Sequence, residues 1–409
     1  MKHGKNRRAT MKSAGSAINA DPTVRGGQSF APQVVLNDCT LREGEQASEV
    51  NFGLDARLRI AEALHEAGIA QVQAGYPGRS ETDFRTIVEI RKRFPSWTVE
   101  AVTQVFQKDW REQIDRAVDS GADWIDLIYP VSDLRLSIVQ KVTRSQMLVR
   151  AVEAVDYACA RAPNVRFAPT DTGRADLGFL DSVYKAVVAA GAKRVTVADT
   201  VGALHPAATA FLVRRAVAVA GVPVQVHFHD DFGLALANTV AAAEAGATIL
   251  DGTVLGVGER AGNAPIEELA ASLELLYGVP TGAKLERMSA LAALVASVSR
   301  IEVPPHKAIV GSHAFAHKLD AHVMGVALGP AAYESVPPET FGNSRHIGLG
   351  RLSGRNAVSA RLRQLGLTVD DDAMVDLLAA EVRTTAEGQS APIGDAQLLA
   401  MLERLKSAV

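Results

Sequence analysis

From residue 33 onward, short runs rich in β-branched residues alternate with longer Ala/Leu/Val segments of helical spacing. The runs at 33–38, 69–74, 98–103, 124–129, 165–168, 194–198, 224–229 and 248–253 read as strands. Their spacing of roughly 25–40 residues is that of a repeated strand–helix unit. Several helical segments stop at the same kind of signal: Gly68, Gly121, Gly191 and Gly246 each stand after a helical run and before a strand. Glycine there accepts the left-handed conformation that closes a helix. Eight such units predict an α/β fold, a (β/α)8 barrel of parallel strands, although periodicity alone also allows a doubly wound sheet. After Gly278 the pattern changes. A helical stretch at 285–299 leads into a Pro/Gly/His-rich segment at 303–354, and 356–409 reads as helices with a charged turn at 370–372. The expected division is a tail over 1–30, a barrel over 31–280, a linker and C-terminal catalytic subdomain over 281–355, and a helical subdomain over 356–409.

Composition narrows the class. The chain has 409 residues, 47% hydrophobic and 22% charged, enough to bury a large core without staples. A net charge of −3 argues against a nucleic-acid binder. The two cysteines, Cys39 and Cys159, lie in apolar segments and read as reduced thiols of a cytoplasmic protein. No apolar run is long enough to span a bilayer. The first 30 residues are basic and have little that could pack. They fit a disordered tail, and a transit peptide shares that composition.

Active sites of parallel barrels lie at the C-terminal ends of the strands. Two predicted strand ends are unusually polar. The first runs Asn37-Asp38-Cys39-Thr40-Leu41-Arg42-Glu43-Gly44-Glu45-Gln46. Alone it would equally be a solvated loop. The second is Val226-His227-Phe228-His229-Asp230-Asp231. His227 and His229 are two apart on a strand, so both imidazoles project to one face. With an acid from the first strand they would make a two-His, one-carboxylate set with open positions. A third segment, 255–264, is Gly-rich and follows the eighth strand. It could cradle a phosphate or simply turn tightly.

With these segments in hand, the sequence resembles the homocitrate synthase and 2-isopropylmalate synthase family. The matching motifs are LREGEQ (41–46), HFHDDFGLALAN (227–238) and GVGERAGNA (256–264). ADTVG (198–202), HKLDAH (317–322) and LSGRNAV (352–358) also fit. Lyase and carboxylase relatives share the strand-one and strand-seven motifs but not the C-terminal His module. The resemblance implies a soluble homodimer that condenses acetyl-CoA with a 2-oxo acid and acts on neither nucleic acid nor membrane. It implies a divalent cation (Mg, Mn, Zn, Co or Fe(II)) held by Glu43, His227 and His229. Arg42 would stabilise the developing oxyanion, and Gln46 and Thr200 would contact the 2-oxo acid. His322 and Tyr333 would serve acid/base chemistry.

Departures from the family pattern bear on the substrate. Gln73 stands where the family carries an acid. Gln104 and Ala168 stand where homocitrate synthases place polar groups for the far carboxylate. Arg166, expected at the barrel mouth near the end of strand five, remains as a partner for a distal anion, with an internal acid such as Asp171 as the alternative partner. A homocitrate synthase-like reaction comes first. A synthase using phosphonopyruvate, a 2-isopropylmalate or citramalate synthase, and a metal-dependent C–C lyase are the alternatives.

Overall fold

The computed structural model describes residues 16–25 and 30–408. Most of the basic tail expected over 1–30 lies outside the described residues. Within it, Ala17–Ala20 and Pro22–Arg25 each form a single helical turn.

The eight predicted strands form, and they close into one barrel in chain order. They are β1 (Val35–Asp38), β2 (Gln71–Gln73), β3 (Thr98–Gln104), β4 (Trp124–Pro130), β5 (Val165–Thr170), β6 (Arg194–Asp199), β7 (Val224–Phe228) and β8 (Ile249–Gly252). Every pairing is parallel, and β1 pairs with β8, Asn37 opposite Asp251, to complete the ring. The doubly wound alternative is thereby excluded.

Helices between the strands bury one face each. In α1 (Leu54–Glu66) that face is Arg57, Ile60, Ala61 and Leu64, and in α2 (Glu81–Arg93) it is Asp83, Thr86, Ile87 and Ile90. The ring continues with α3 (Trp110–Asp119), α4 (Arg144–Cys159), α5 (Leu177–Ala189), α6 (Pro206–Ala220), α7 (Ala235–Glu244) and α8 (Ile266–Ala271). Side-chain caps start several of these helices: Ser80 for α2, Thr143 with Gln146 for α4, and Asp176 for α5.

The barrel interior carries a layer of charge where branched apolar side chains are usual. Glu100, fully buried, is its hub. It accepts from Asn37, Gln73, Gln225 and Gln71, and it pairs with Arg166 at 3.2 Å and Arg194 at 2.7 Å. Buried charge on this scale is stable only when it is paired and hydrogen-bonded.

The unit boundary falls later than expected. Helix α9 (Met288–Ser299) packs on α1, so the barrel unit runs to Val303 and the second unit begins at Pro304. That unit holds a two-stranded parallel sheet, β9 (Ala316–His317) and β10 (His346–Ile347). Its helices are α10 (Asp320–Leu328), α11 (Arg355–Gln364), α12 (Asp372–Glu387) and α13 (Asp395–Ala408). Residues 281–355 and 356–409 are not separate here: Val323, Ile347 and Leu349 share one core with Val358, Leu378 and Leu402. The HKLDAH and LSGRNAV motifs meet at Asp320. Its carboxylate accepts from Gly354 N at 3.0 Å, Ala357 N at 2.8 Å and Asn356 Nδ2 at 2.8 Å, holding the first turn of α11. Among the described residues no helix is long and apolar enough to cross a membrane.

Candidate active site

The C-terminal strand ends enclose a cavity of about 230 Å3, lined among others by Arg42, Glu43, Gln46, Thr200, His227 and His229. Thus the two polar strand ends and the sixth-strand motif converge on one place. Glu43 sits just past β1. Its carboxylate lies 3.7 Å from His227 Nε2 and 3.8 Å from His229 Nε2. The two imidazole rings are 5.2 Å apart, on the same face, as their spacing required. One ligand atom from each of the three residues lies within 4.8 Å of the others.

The electrostatics suit a cation. Burial acts to raise the Glu43 pKa, but Arg42, His227 and His229 outweigh it and bring it to about 2. Burial, then His227, pushes His229 down to about 4, so it is neutral near pH 7. A carboxylate and neutral imidazoles are the protonation states a metal needs. Asn263 Oδ1 is buried without a hydrogen-bond partner, while its amide nitrogen lies 3.4 Å from His227 Nε2. The donor set and this unspent oxygen fit a divalent cation of mixed N/O preference.

Sequence reasoning missed the support behind His227. Asp251, on β8 and buried, receives His227 Nδ1 at 3.1 Å. Asn37 Nδ2 at 2.8 Å and Gln225 Nε2 at 2.6 Å fix its other oxygen. Burial works to raise the Asp251 pKa, but His227 and Arg166 bring it to about 2. An anion facing Nδ1 places the proton there and leaves Nε2 free toward Glu43, the arrangement usual behind metal-bound histidines. A single acid in the run Ile249-Leu250-Asp251-Gly252 gave little warning of this.

The segment at 255–264 is a tight turn. Gly262, at φ 89°, lies where a Cβ would collide with the Gly256 carbonyl. The turn lets Asn263 bond the Phe228 carbonyl at 3.2 Å and brings Glu259 N to 3.5 Å from Glu43.

Arg42 contacts Glu43 directly, and its Nε donates to Gln73 Oε1 at 2.5 Å. Gln73 passes the link inward to Asp126 at 2.9 Å, so an amide serves where an acid was expected. Gln46 donates to Glu43 at 3.3 Å, and Thr200 Oγ1 accepts from Asp171 N at 2.8 Å. Behind the first loop, fully buried Arg57 reaches Glu45, the Ala74 carbonyl at 3.0 Å and Asp83 at 2.9 Å. It ties the loops carrying Gln46 and Tyr76, another lining residue that the sequence did not single out.

Arg166 requires correction. It is the second residue of β5, on the floor of the cavity and not near the strand's end. Its guanidinium pairs with Glu100 at 3.2 Å and with Asp126 at 3.0 Å. Burial disfavours its charge, but Asp126 and Glu100 hold its pKa above the ordinary range. Asp171 is not its partner either, because both Asp171 oxygens bond Arg174 at 2.8 Å.

In the C-terminal unit, the His322 and Tyr333 rings stack at 4.1 Å. Gly325 leaves the room for the Tyr333 ring, which a Cβ there would strike. Next to Tyr333, buried Glu334 accepts from His317 at 3.0 Å and from Arg345 at 2.5 and 2.6 Å.

Comparison with known proteins agrees with this picture. The HMGL-like family model matches residues 33–295, and the homocitrate synthase post-HMGL domain-like model matches 309–390. The chain is 39% identical to the probable 2-isopropylmalate synthase of Ignicoccus hospitalis, over 86% of this chain and 87% of that one. It is 37% identical to a homocitrate synthase of Methanopyrus kandleri, over 85% and 86%. It is 40% identical to a putative (R)-citramalate synthase of Archaeoglobus fulgidus, over 85% and 70%. Among solved structures, the hydroxymethylglutaryl-CoA lyase of Pseudomonas aeruginosa superposes with a TM-score of 0.58 at 20% identity, covering 66% of this chain and 94% of that one. At that identity the likeness concerns the barrel fold.

Proposed function

Because the chain belongs to the HMGL-like family and carries the homocitrate synthase post-HMGL domain, we propose that it condenses acetyl-CoA with a 2-oxo acid to give a 2-substituted malate and CoA. The observation that carries this reading is the convergence of Glu43, His227, His229 and Arg42 on one cavity. Relatives named for three such condensations support it.

Glu43, His227 and His229 would hold a divalent cation, with Asn263 beside them. Bound there, the cation supplies Lewis-acid polarisation of the 2-oxo group. The remaining work falls to the chain. Gln46 and Thr200 orient the 2-oxo acid at the cavity wall. A general base takes a proton from the acetyl methyl group, and the new C–C bond forms to the keto carbon. Charge builds on the keto oxygen, where the Arg42 guanidinium stabilises it, and a general acid returns a proton to that oxygen. Water finally hydrolyses the thioester and releases CoA. His322 and Tyr333 are assigned to proton transfer in this sequence, supported by the family resemblance and their stacked pairing. The resemblance also supports a homodimer as the working form.

The test is metal dependence with product identification. Enzyme supplied with methyl-labelled acetyl-CoA and a 2-oxo acid should form a labelled hydroxy diacid. Chelation or His229→Ala should stop it. Full product formation by metal-stripped enzyme would overturn the reading.

A further inference from the structure

Four guanidinium groups line the cavity: Arg42, Arg135, Arg166 and Arg260. Three are neutralised by the chain's own carboxylates: Arg42 by Glu43, Arg166 by Glu100 and Asp126, and Arg260 by Asp231 at 2.7 Å. Arg135 has no carboxylate within ion-pair distance among the described residues. Its contact is a donated hydrogen bond from Nη1 to Thr170 Oγ1 at 3.0 Å. The acid whose charge reaches it, Asp171, is already held by Arg174 and by Ser132. Burial therefore pulls the Arg135 pKa below the ordinary guanidinium value.

Position matters as much as charge. Arg135 ends the one-turn helix Asp133–Arg135 that follows β4, and Thr170 is the last residue of β5. The metal-type donors come from the β1, β7 and β8 side of the ring. In a closed barrel of eight strands in chain order, β4 and β5 stand opposite β8 and β1. A 2-oxo acid whose carboxylate and keto oxygen face Glu43 and His227 must send its tail across the mouth. The lining it would pass includes the uncharged Ile128 and Ala168, and Arg166 beneath them is already paired with Glu100 and Asp126. A partly buried cation without a counter-ion is costly, and a ligand that brings an anion removes that cost.

We infer that Arg135, with the Thr170 hydroxyl, forms the subsite that selects a second anionic group, carboxylate or phosphonate, at the far end of the 2-oxo acid. The inference rests on the condensation reading for its orientation, so the test separates the two. Binding is measured by calorimetry with Mn2+ for 2-oxoglutarate, oxaloacetate, phosphonopyruvate and, as the uncharged-tail reference, pyruvate. Thiol release from acetyl-CoA is measured with the same acids. Losing one charge-assisted contact predicts that Arg135→Gln weakens the preferred anionic-tail acid by about 10- to 150-fold, in binding and in kcat/KM. Pyruvate should lose far less. Arg135→Lys should recover part of the loss, since it restores a point charge without the fork. Which anionic acid binds tightest distinguishes carboxylate from phosphonate. Equal losses for anionic and uncharged tails, or a wild type that binds pyruvate as tightly as every anionic acid, would overturn the subsite. Arg135-dependent binding without thiol release would support the subsite and sink only the condensation reading.

Discussion

Replacing Asp251 by Asn should reverse the proton on His227 while barely changing shape. In the wild type, one Asp251 oxygen accepts from Asn37 and Gln225, and the other faces His227 Nδ1 at 3.1 Å. Two donors on one side force the Asn carbonyl to stay there. The Asn NH2 then points at Nδ1, where a donor would meet a donor. His227 relieves the conflict by moving its proton to Nε2, the nitrogen that faces Glu43. A protonated Nε2 cannot bind a metal, so the tautomer must be switched back at a cost. Loss of such an outer partner weakens metal affinity about 10- to 100-fold, or about 1.4–2.8 kcal/mol. The assay is Mn2+ competition against a chelator of known affinity, with circular dichroism to confirm the fold. Catalysis at saturating metal should recover in part. Unchanged metal affinity in a folded Asp251→Asn protein would refute the role assigned to Asp251.

Arg166→Ala should destabilise the fold by about 3–5 kcal/mol, because it leaves Asp126 without its buried counter-charge and Glu100 with Arg194 alone; denaturant titration checks this, and turnover should fall for every 2-oxo acid alike. His322→Ala should lower kcat by about two to four orders of magnitude with little change in 2-oxo acid binding; an unchanged kcat would return His322 to a structural role. Burial, against hydrogen bonds from Thr40, raises Asp38 to about 7, so the folded state holds that proton more tightly than the unfolded chain. Its contribution is complete below about pH 4 and is lost as pH rises toward 7, up to about 4 kcal/mol. Asp38→Asn should flatten that part of the stability profile between pH 4 and 7, and an unaltered slope would count against the shift.

The barrel was legible because its signals repeat: eight β-branched runs, each followed by a helical segment, and glycines such as Gly68 and Gly191 at helix ends. The His227 and His229 pair was legible because alternation along a strand decides which residues share a face, and the family resemblance supplied Glu43 as its acid. Depth inside the barrel was not. Alternation puts Arg166 inside, but strand stagger decides whether it meets the mouth or the Glu100 layer. Asp251 and Glu100 are single acids in apolar runs; the register of neighbouring β7 and β8 brings Asp251 to His227, and Glu100 on β3 meets Arg166 on β5 only across the barrel interior. Arg135 lies in a connection without periodicity, so nothing in its neighbours marked it as the one lining arginine without an acid. The unit boundary slipped because α9 reads like any amphipathic helix, and only its packing on α1 assigns it to the barrel.

The central claim is condensation of acetyl-CoA with a 2-oxo acid at the Glu43, His227 and His229 centre. Its most direct test follows free thiol from acetyl-CoA with a thiol reagent, using metal-loaded enzyme and a panel of 2-oxo acids. The account predicts thiol release that requires both a 2-oxo acid and a divalent cation and that disappears in His229→Ala. Thiol release independent of any 2-oxo acid, or none with the whole panel, would contradict it.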